Sequence, residues 1–140
     1  MNIDPSDIDL SIQVRLPLFL CHVSAGQPSS TDDCIQDYVM IPGGLVPYPA
    51  TTFALQVAGD SMSGVGIIDR DLVFVNKAVE PVHGRIVVAV VNGEQTIKRL
   101  YSHAGKVKLL PENPDYQPIP IHPEMDLIVQ GVVTGLYRPY

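Results

Sequence analysis

The sequence predicts a mainly β protein, a single compact domain of short strands and hairpins that follows a flexible N-terminal arm. Three observations carry this. Short runs rich in Val, Ile, Leu and Tyr recur from residue 53 onward with turn residues between them. An Asn92-Gly93 pair sits between two of those runs. Repeats of fixed period, heptads and helix-turn-helix spacing are all missing from the chain.

The elements follow in chain order. Residues 1–25 read as an arm, and Gly26 to Asp33 is small, polar and turn-forming, so residues 26–40 are assigned as a linker. Pro42-Gly43-Gly44 with Pro47 and Pro49 keeps the next stretch irregular, and the domain is placed at residues 41–140. Strands are expected at Phe53 to Val57, Leu72 to Asn76, Arg85 to Val91, Glu94 to Tyr101, Val107 to Leu110 and Leu127 to Tyr137. Asn-Gly suits the two positive φ angles of a type I′ turn, so the runs on either side of it form a hairpin that pairs Val91 with Glu94 and Val87 with Lys98.

Bulk properties narrow the function. A chain of 140 residues can bury a modest core without disulfides or metals. Charged residues make up 17% of it, below the roughly 25% usual for soluble domains, so part of the surface is expected to be covered in a homodimer. A net charge of -6 opposes attraction to phosphate backbones, and no direct DNA binding is expected. The acidic start and the short apolar stretch from Leu16 to Leu20 give neither an export signal nor a membrane span, which places the protein in the cytoplasm. In that reducing compartment Cys21 and Cys34 are read as free thiols or half-buried apolar residues.

Two residues could carry chemistry. Gly59-Asp60-Ser61-Met62-Ser63-Gly64 forms a tight turn at a strand end, where a serine can be a nucleophile and backbone N–H groups can hold an oxyanion. Gly-Asp-Ser is equally ordinary turn chemistry. A serine nucleophile needs a base. His22, His83, His103 and His122 all fall outside the core strands, which leaves a histidine triad open but unsupported. Lys98 pairs with a strand that is apolar on both faces, and burial lowers a lysine pKa. An unperturbed lysine is about 0.04% neutral at pH 7, a cost of roughly 4.6 kcal/mol per base event, so only a desolvated lysine could serve. The alternative is a surface lysine that protects an edge strand. Gly64-Val65-Gly66 lacks phosphate-loop spacing and no His/Cys set has zinc spacing, so no metal, nucleotide or other cofactor is expected.

Taken in order, Gly59-Asp60-Ser61-Met62, Asp69-Arg70-Asp71-Leu72, Thr96-Ile97-Lys98-Arg99-Leu100 and Leu110-Pro111-Glu112-Asn113 resemble the self-cleaving serine peptidase family of LexA and UmuD, from about Ala50 to the C-terminus. The resemblance implies Ser61 as nucleophile and Lys98 as general base. It also implies a cut in the chain's own N-terminal segment after a small residue and before glycine, which here is Ala25-Gly26. The 36 positions from Ala25 to Ser61 could span on the order of 120 Å when extended, so reach does not separate cutting in the same chain from cutting a dimer partner.

The short acidic arm favours a UmuD-like member over a repressor. For that member the resemblance implies a cut stimulated by the RecA filament in the SOS response. The product would be a homodimer serving a Y-family polymerase in translesion synthesis. The alternatives are a non-proteolytic adaptor for a polymerase or RecA filament, and a repressor-type peptidase domain.

Overall fold

The computed structural model describes residue 4, residues 12–20 and residues 37–140. Its strands are β1 (Gln13–Leu20), β2 (Asp37–Pro42), β3 (Thr52–Gln56), β4 (Leu72–Asn76), β5 (Ile86–Val91), β6 (Glu94–His103), β7 (Lys106–Leu110), β8 (Ile119–Ile121) and β9 (Leu127–Tyr137). Short 3-10 turns at Pro49–Thr51 and Ser63–Val65 precede β3 and β4. The strands form a 9-stranded sheet in the order β2-β1-β3-β4-β9-β5-β6-β7-β8. The mainly β class is therefore observed, and each strand expected from residue 53 onward is present within two residues of its expected ends.

The β5–β6 hairpin has the expected register, with Val91 opposite Glu94 and Val87 opposite Lys98. Asn92 and Gly93 have φ of 45° and 85°, the two positive values a type I′ turn requires. Asn92 is held there by its backbone N–H, which donates to the Asp126 carbonyl at 2.9 Å. The other edge of β5 pairs with β9. Val87, Val88 and Ala89 are buried, Val88 in one hydrophobic cluster and the other two in another, so β5 is covered on both faces.

The N-terminal segment differs from the expected arm. Residues 13–20 form β1, which pairs antiparallel with β2 from Gln13 to Leu18 and parallel with β3 from Leu18 onward. Leu16 is fully buried, and Phe19 meets the Phe53 ring edge-on with centroids 5.2 Å apart. This part of the chain therefore packs as core. Apolar side chains on both faces drive it: Leu16 enters a cluster with Ile41 and Phe74, while Phe19 joins Phe53, Leu55 and Val73. β2 begins at Asp37, inside the stretch assigned as linker, and β8 was not expected because Pro118 and Pro120 break its pattern. Cys21, His22, Ala25, Gly26 and Cys34 lie outside the described residues.

An ion pair between the buried Asp71 carboxylate and the exposed Arg138 ties the C-terminal end of the chain to the segment that follows the Ser61 turn. Asp71 is 2% exposed and accepts two hydrogen bonds from Arg138, Nε to Oδ1 and Nη2 to Oδ2, both at 2.6 Å. Arg138 Nη2 also donates to the Gly66 carbonyl, and the Ile68 N–H donates to Asp71 Oδ2. The hydrogen bonds from Arg138 hold the Asp71 carboxyl below the ordinary carboxylate range, against the opposing effect of burial. A lowered folded-state pKa contributes stability above the unfolded value near 3.9, and that stability is lost as pH falls through the folded value. Arg138→Met is expected to lower the urea unfolding midpoint at pH 7, because it leaves the buried Asp71 carboxylate without its charged partner. The difference from the parent protein should shrink as pH drops below about 4.

Candidate active site

The turn carrying Ser61 is fixed by residues on both sides of it. Gly59, with φ of 86°, turns the chain out of β3, and its N–H donates to Asp69 Oδ1 at 2.9 Å. Met62 is buried beside Val57 and Ile67 in the core, which anchors the next position. Its carbonyl accepts the N–H groups of Val65 and Ile67. Ser61 thus stands between a glycine bend and a core anchor.

Lys98 comes to this turn from β6. It is 8% exposed, and its Nζ lies 2.9 Å from Ser61 Oγ, 2.6 Å from Thr96 Oγ1 and 3.1 Å from the Ile97 carbonyl oxygen. Burial pushes the Lys98 amine below the ordinary lysine range. All three partners are oxygens, which the three N–H donors of an ammonium satisfy; once the amine is neutral, two N–H groups remain for Thr96 and Ile97 and the lone pair faces the Ser61 hydroxyl. Chemically, this arrangement can remove a proton from a serine without a histidine.

The other sequence candidates are placed elsewhere. His83 Nδ1 accepts the Ser102 N–H at 3.0 Å, and its ring contacts Tyr101, which in turn contacts His103. His122 donates its backbone N–H to Met125 Sδ. None of these three described histidines is a hydrogen-bond partner of Ser61. Among the described residues no group of three or more His, Cys, Asp or Glu could hold a metal ion, and no helix is long and apolar enough to cross a membrane.

Sequence reasoning gave no role to Thr96 or to the segment Glu112–Tyr116. Thr96 could have been found, because it lies two residues before Lys98 on the same face of β6. Of the segment, Glu112 and Asn113 stand in a motif that carries the family resemblance, but their contacts with the turn span some fifty residues and no local pattern shows them. The Glu112 N–H donates to the Ser61 carbonyl at 2.8 Å and the Gly64 N–H to the Glu112 carbonyl at 2.7 Å. Asn113 Nδ2 donates to the Asp60 carbonyl at 2.9 Å, and the Tyr116 hydroxyl donates to Asp60 Oδ1 at 2.5 Å. The carboxylate of Glu112 reaches back to Arg99, the neighbour of Lys98, at 2.6 Å.

Fold and site together describe a mainly β protein with a serine hydroxyl against a buried amine, an arrangement suited to acyl transfer. The chain belongs to the peptidase S24-like family, which matches residues 17–134. It is 39% identical over 126 residues to the LexA repressor of Xylella fastidiosa (strain M23) and 40% identical over 126 residues to that of Stenotrophomonas maltophilia (strain R551-3). Each match covers 90% of this chain and 59% of the relative. The LexA repressor of Erwinia tasmaniensis is 39% identical over 124 residues, which cover 88% of this chain and 60% of that protein. The chain thus spans about three-fifths of the length of these relatives. The LexA/UmuD family expected from the sequence is thereby found on its LexA side, since all three relatives are repressors by name.

The lowered Lys98 pKa has a consequence for stability. Where the unfolded state binds a proton that the folded state has released, stability rises with pH. The parent protein is expected to gain stability relative to Lys98→Met between pH 7 and pH 10, as the cost of burying an ammonium disappears. Paired urea unfolding curves at the two pH values check this, and a constant difference between the proteins would refute it.

Proposed function

We propose that the chain is a self-cleaving serine peptidase in which Ser61 is the nucleophile, Lys98 the general base and Ala25-Gly26 the bond cut. The observation that carries the reading is the 2.9 Å contact between the Ser61 hydroxyl and a lysine amine that burial pushes toward its neutral form.

Neutral Lys98 takes the Ser61 hydroxyl proton while Oγ bonds to the Ala25 carbonyl carbon, and the carbonyl oxygen becomes an oxyanion. Lys98, now an ammonium, gives that proton to the Gly26 nitrogen as the C–N bond breaks, leaving an Ala25–Ser61 ester and a free amine. Water then attacks the ester. Lys98 takes one of its protons and returns it to Ser61 Oγ as the ester breaks, freeing the Ala25 carboxyl. Thr96 and the Ile97 carbonyl hold the amine in place throughout.

The cut acts as a switch. The named relatives are repressors, which supports a repressor-type peptidase whose DNA response ends when the chain is cut. Its stimulus is the RecA filament of the SOS response, by the family resemblance. A second reading is favoured by the net charge of -6. In it, the product Gly26 to Tyr140 is a homodimeric accessory subunit of a Y-family translesion polymerase, in the manner of UmuD. Loss of operator-DNA binding on cutting supports the first reading, and polymerase binding gained on cutting supports the second.

Incubation at pH 7 and pH 10 followed by mass spectrometry tests the cut itself. A fragment beginning at Gly26 should form faster at pH 10, because more Lys98 is neutral there. Ser61→Ala and Lys98→Ala should each abolish it, whereas Thr96→Val should slow it about 10-fold or more, in line with the loss of a group that positions a general base. A cut that persists in Lys98→Ala, or a rate that falls toward pH 10, would contradict the assigned base.

A further inference from the structure

The carbonyls on either side of the Ser61 nitrogen and carbonyl carbon are pinned from outside the turn, both by one short segment. The Asp60 carbonyl accepts the Asn113 side-chain N–H at 2.9 Å as well as the Ser63 N–H at 3.1 Å. The Ser61 carbonyl accepts the Glu112 N–H at 2.8 Å. Each carbonyl shares a rigid peptide plane with the N–H of the next residue, and the described residues contain no cis peptide bond. In a trans peptide the C=O and N–H point in opposite directions. Fixing the Asp60 and Ser61 carbonyls toward Glu112 and Asn113 therefore fixes the Ser61 and Met62 N–H groups to point away from that segment. Neither N–H has a hydrogen-bond partner among the described residues.

Resting on the peptidase reading above, we propose that Asn113 is a positioning residue for the oxyanion site, which the Ser61 and Met62 N–H groups form. It touches neither substrate nor nucleophile and acts through the Asp60–Ser61 peptide plane. The segment itself is held independently of this bond. Asn113 Oδ1 accepts the Asp115 N–H at 2.9 Å, the Gly64 N–H donates to the Glu112 carbonyl at 2.7 Å, and Arg99 holds the Glu112 carboxylate. Gly64 permits that approach, since a side chain there would overlap the Glu112 carbonyl oxygen. Asn113 also reaches Ser63 Oγ at 3.4 Å, a weak second contact on the same turn.

Asn113→Asp isolates the proposed role. A carboxylate keeps the acceptor for the Asp115 N–H but has no donor for the Asp60 carbonyl. Self-cleavage of the full chain would be followed from pH 7 to 10, beside the rate at which a fluorophosphonate probe labels Ser61, each protein being assayed below its melting transition. Removing an oxyanion donor outright costs on the order of 100- to 1000-fold, so misaiming one is expected to slow both cutting and labelling by about 10- to 100-fold. The fall should persist up to pH 10, where Lys98 is most neutral, although the added carboxylate favours the Lys98 ammonium and moves the pH midpoint of cutting upward. Tyr116→Phe, which removes a bond to the Asp60 side chain and leaves both carbonyls pinned, should cut at the parent rate.

Parent-like rates in Asn113→Asp would overturn the proposal. So would a loss that vanishes at pH 10, which would place its effect on the protonation of Lys98, or an equal loss in Tyr116→Phe, which would make docking of the segment the cause. A parent chain that neither cuts nor labels at Ser61 would instead overturn the peptidase reading on which the proposal rests.

Discussion

Taking a lysine ammonium out of water costs several kcal/mol, and in this protein that cost is set by the pairing of β6 with a strand covered on both faces. β5 lies between β9 and β6, with Val87 and Val88 fully buried on its two faces. Lys98 sits opposite Val87 in that ladder, so the hairpin that builds the sheet also desolvates the amine. The Ser61 turn then meets the amine at hydrogen-bond distance. Remove the desolvation and the same geometry leaves a charged lysine beside an inert hydroxyl.

The serine side of the pair is held differently. Lys98 is placed by a regular strand, whereas Ser61 depends on a bend at Gly59, the buried Met62 and the backbone contacts of Glu112 and Asn113. Farther along, the Asp71–Arg138 pair ties residues 66–71 to the end of β9. The Arg99–Glu112 pair links the two sides, since Arg99 follows Lys98 and Glu112 bonds the Ser61 carbonyl. A short turn with few core contacts is thereby given the definition that a reacting hydroxyl needs.

Much of this was legible in the sequence, and the reasons separate cleanly. The β5–β6 hairpin could be read to the residue because Asn-Gly and the apolar runs are local signals. Ser61 and Lys98 are candidates from turn chemistry and cross-strand burial, each with an ordinary structural reading beside it, and the resemblance to the LexA/UmuD family is what joins them. β1 could not be read: its packing depends on Phe53 and on a parallel pairing with β3, more than thirty residues away, and Pro17 argues locally against a strand. Asn113 looks like a loop residue until the fold brings it against Asp60, and Thr96 looks like ordinary strand filler until Lys98 folds back over it. Local pattern reveals which residues are unusual, and only long-range contacts reveal what holds them.

The claim that everything else depends on is the protonation state of one amine. Heteronuclear NMR of the Lys98 side-chain nitrogen, followed from pH 6 to 11 in Ser61→Ala so that the chain stays intact, measures it directly. Lys98 is expected to titrate below the ordinary lysine value of about 10.4, with a return toward that value when the neutral change Val87→Ser lets water reach the site. A Lys98 that titrates at the ordinary value in the folded protein would contradict the account, because no neutral amine would then be available to Ser61 near neutral pH.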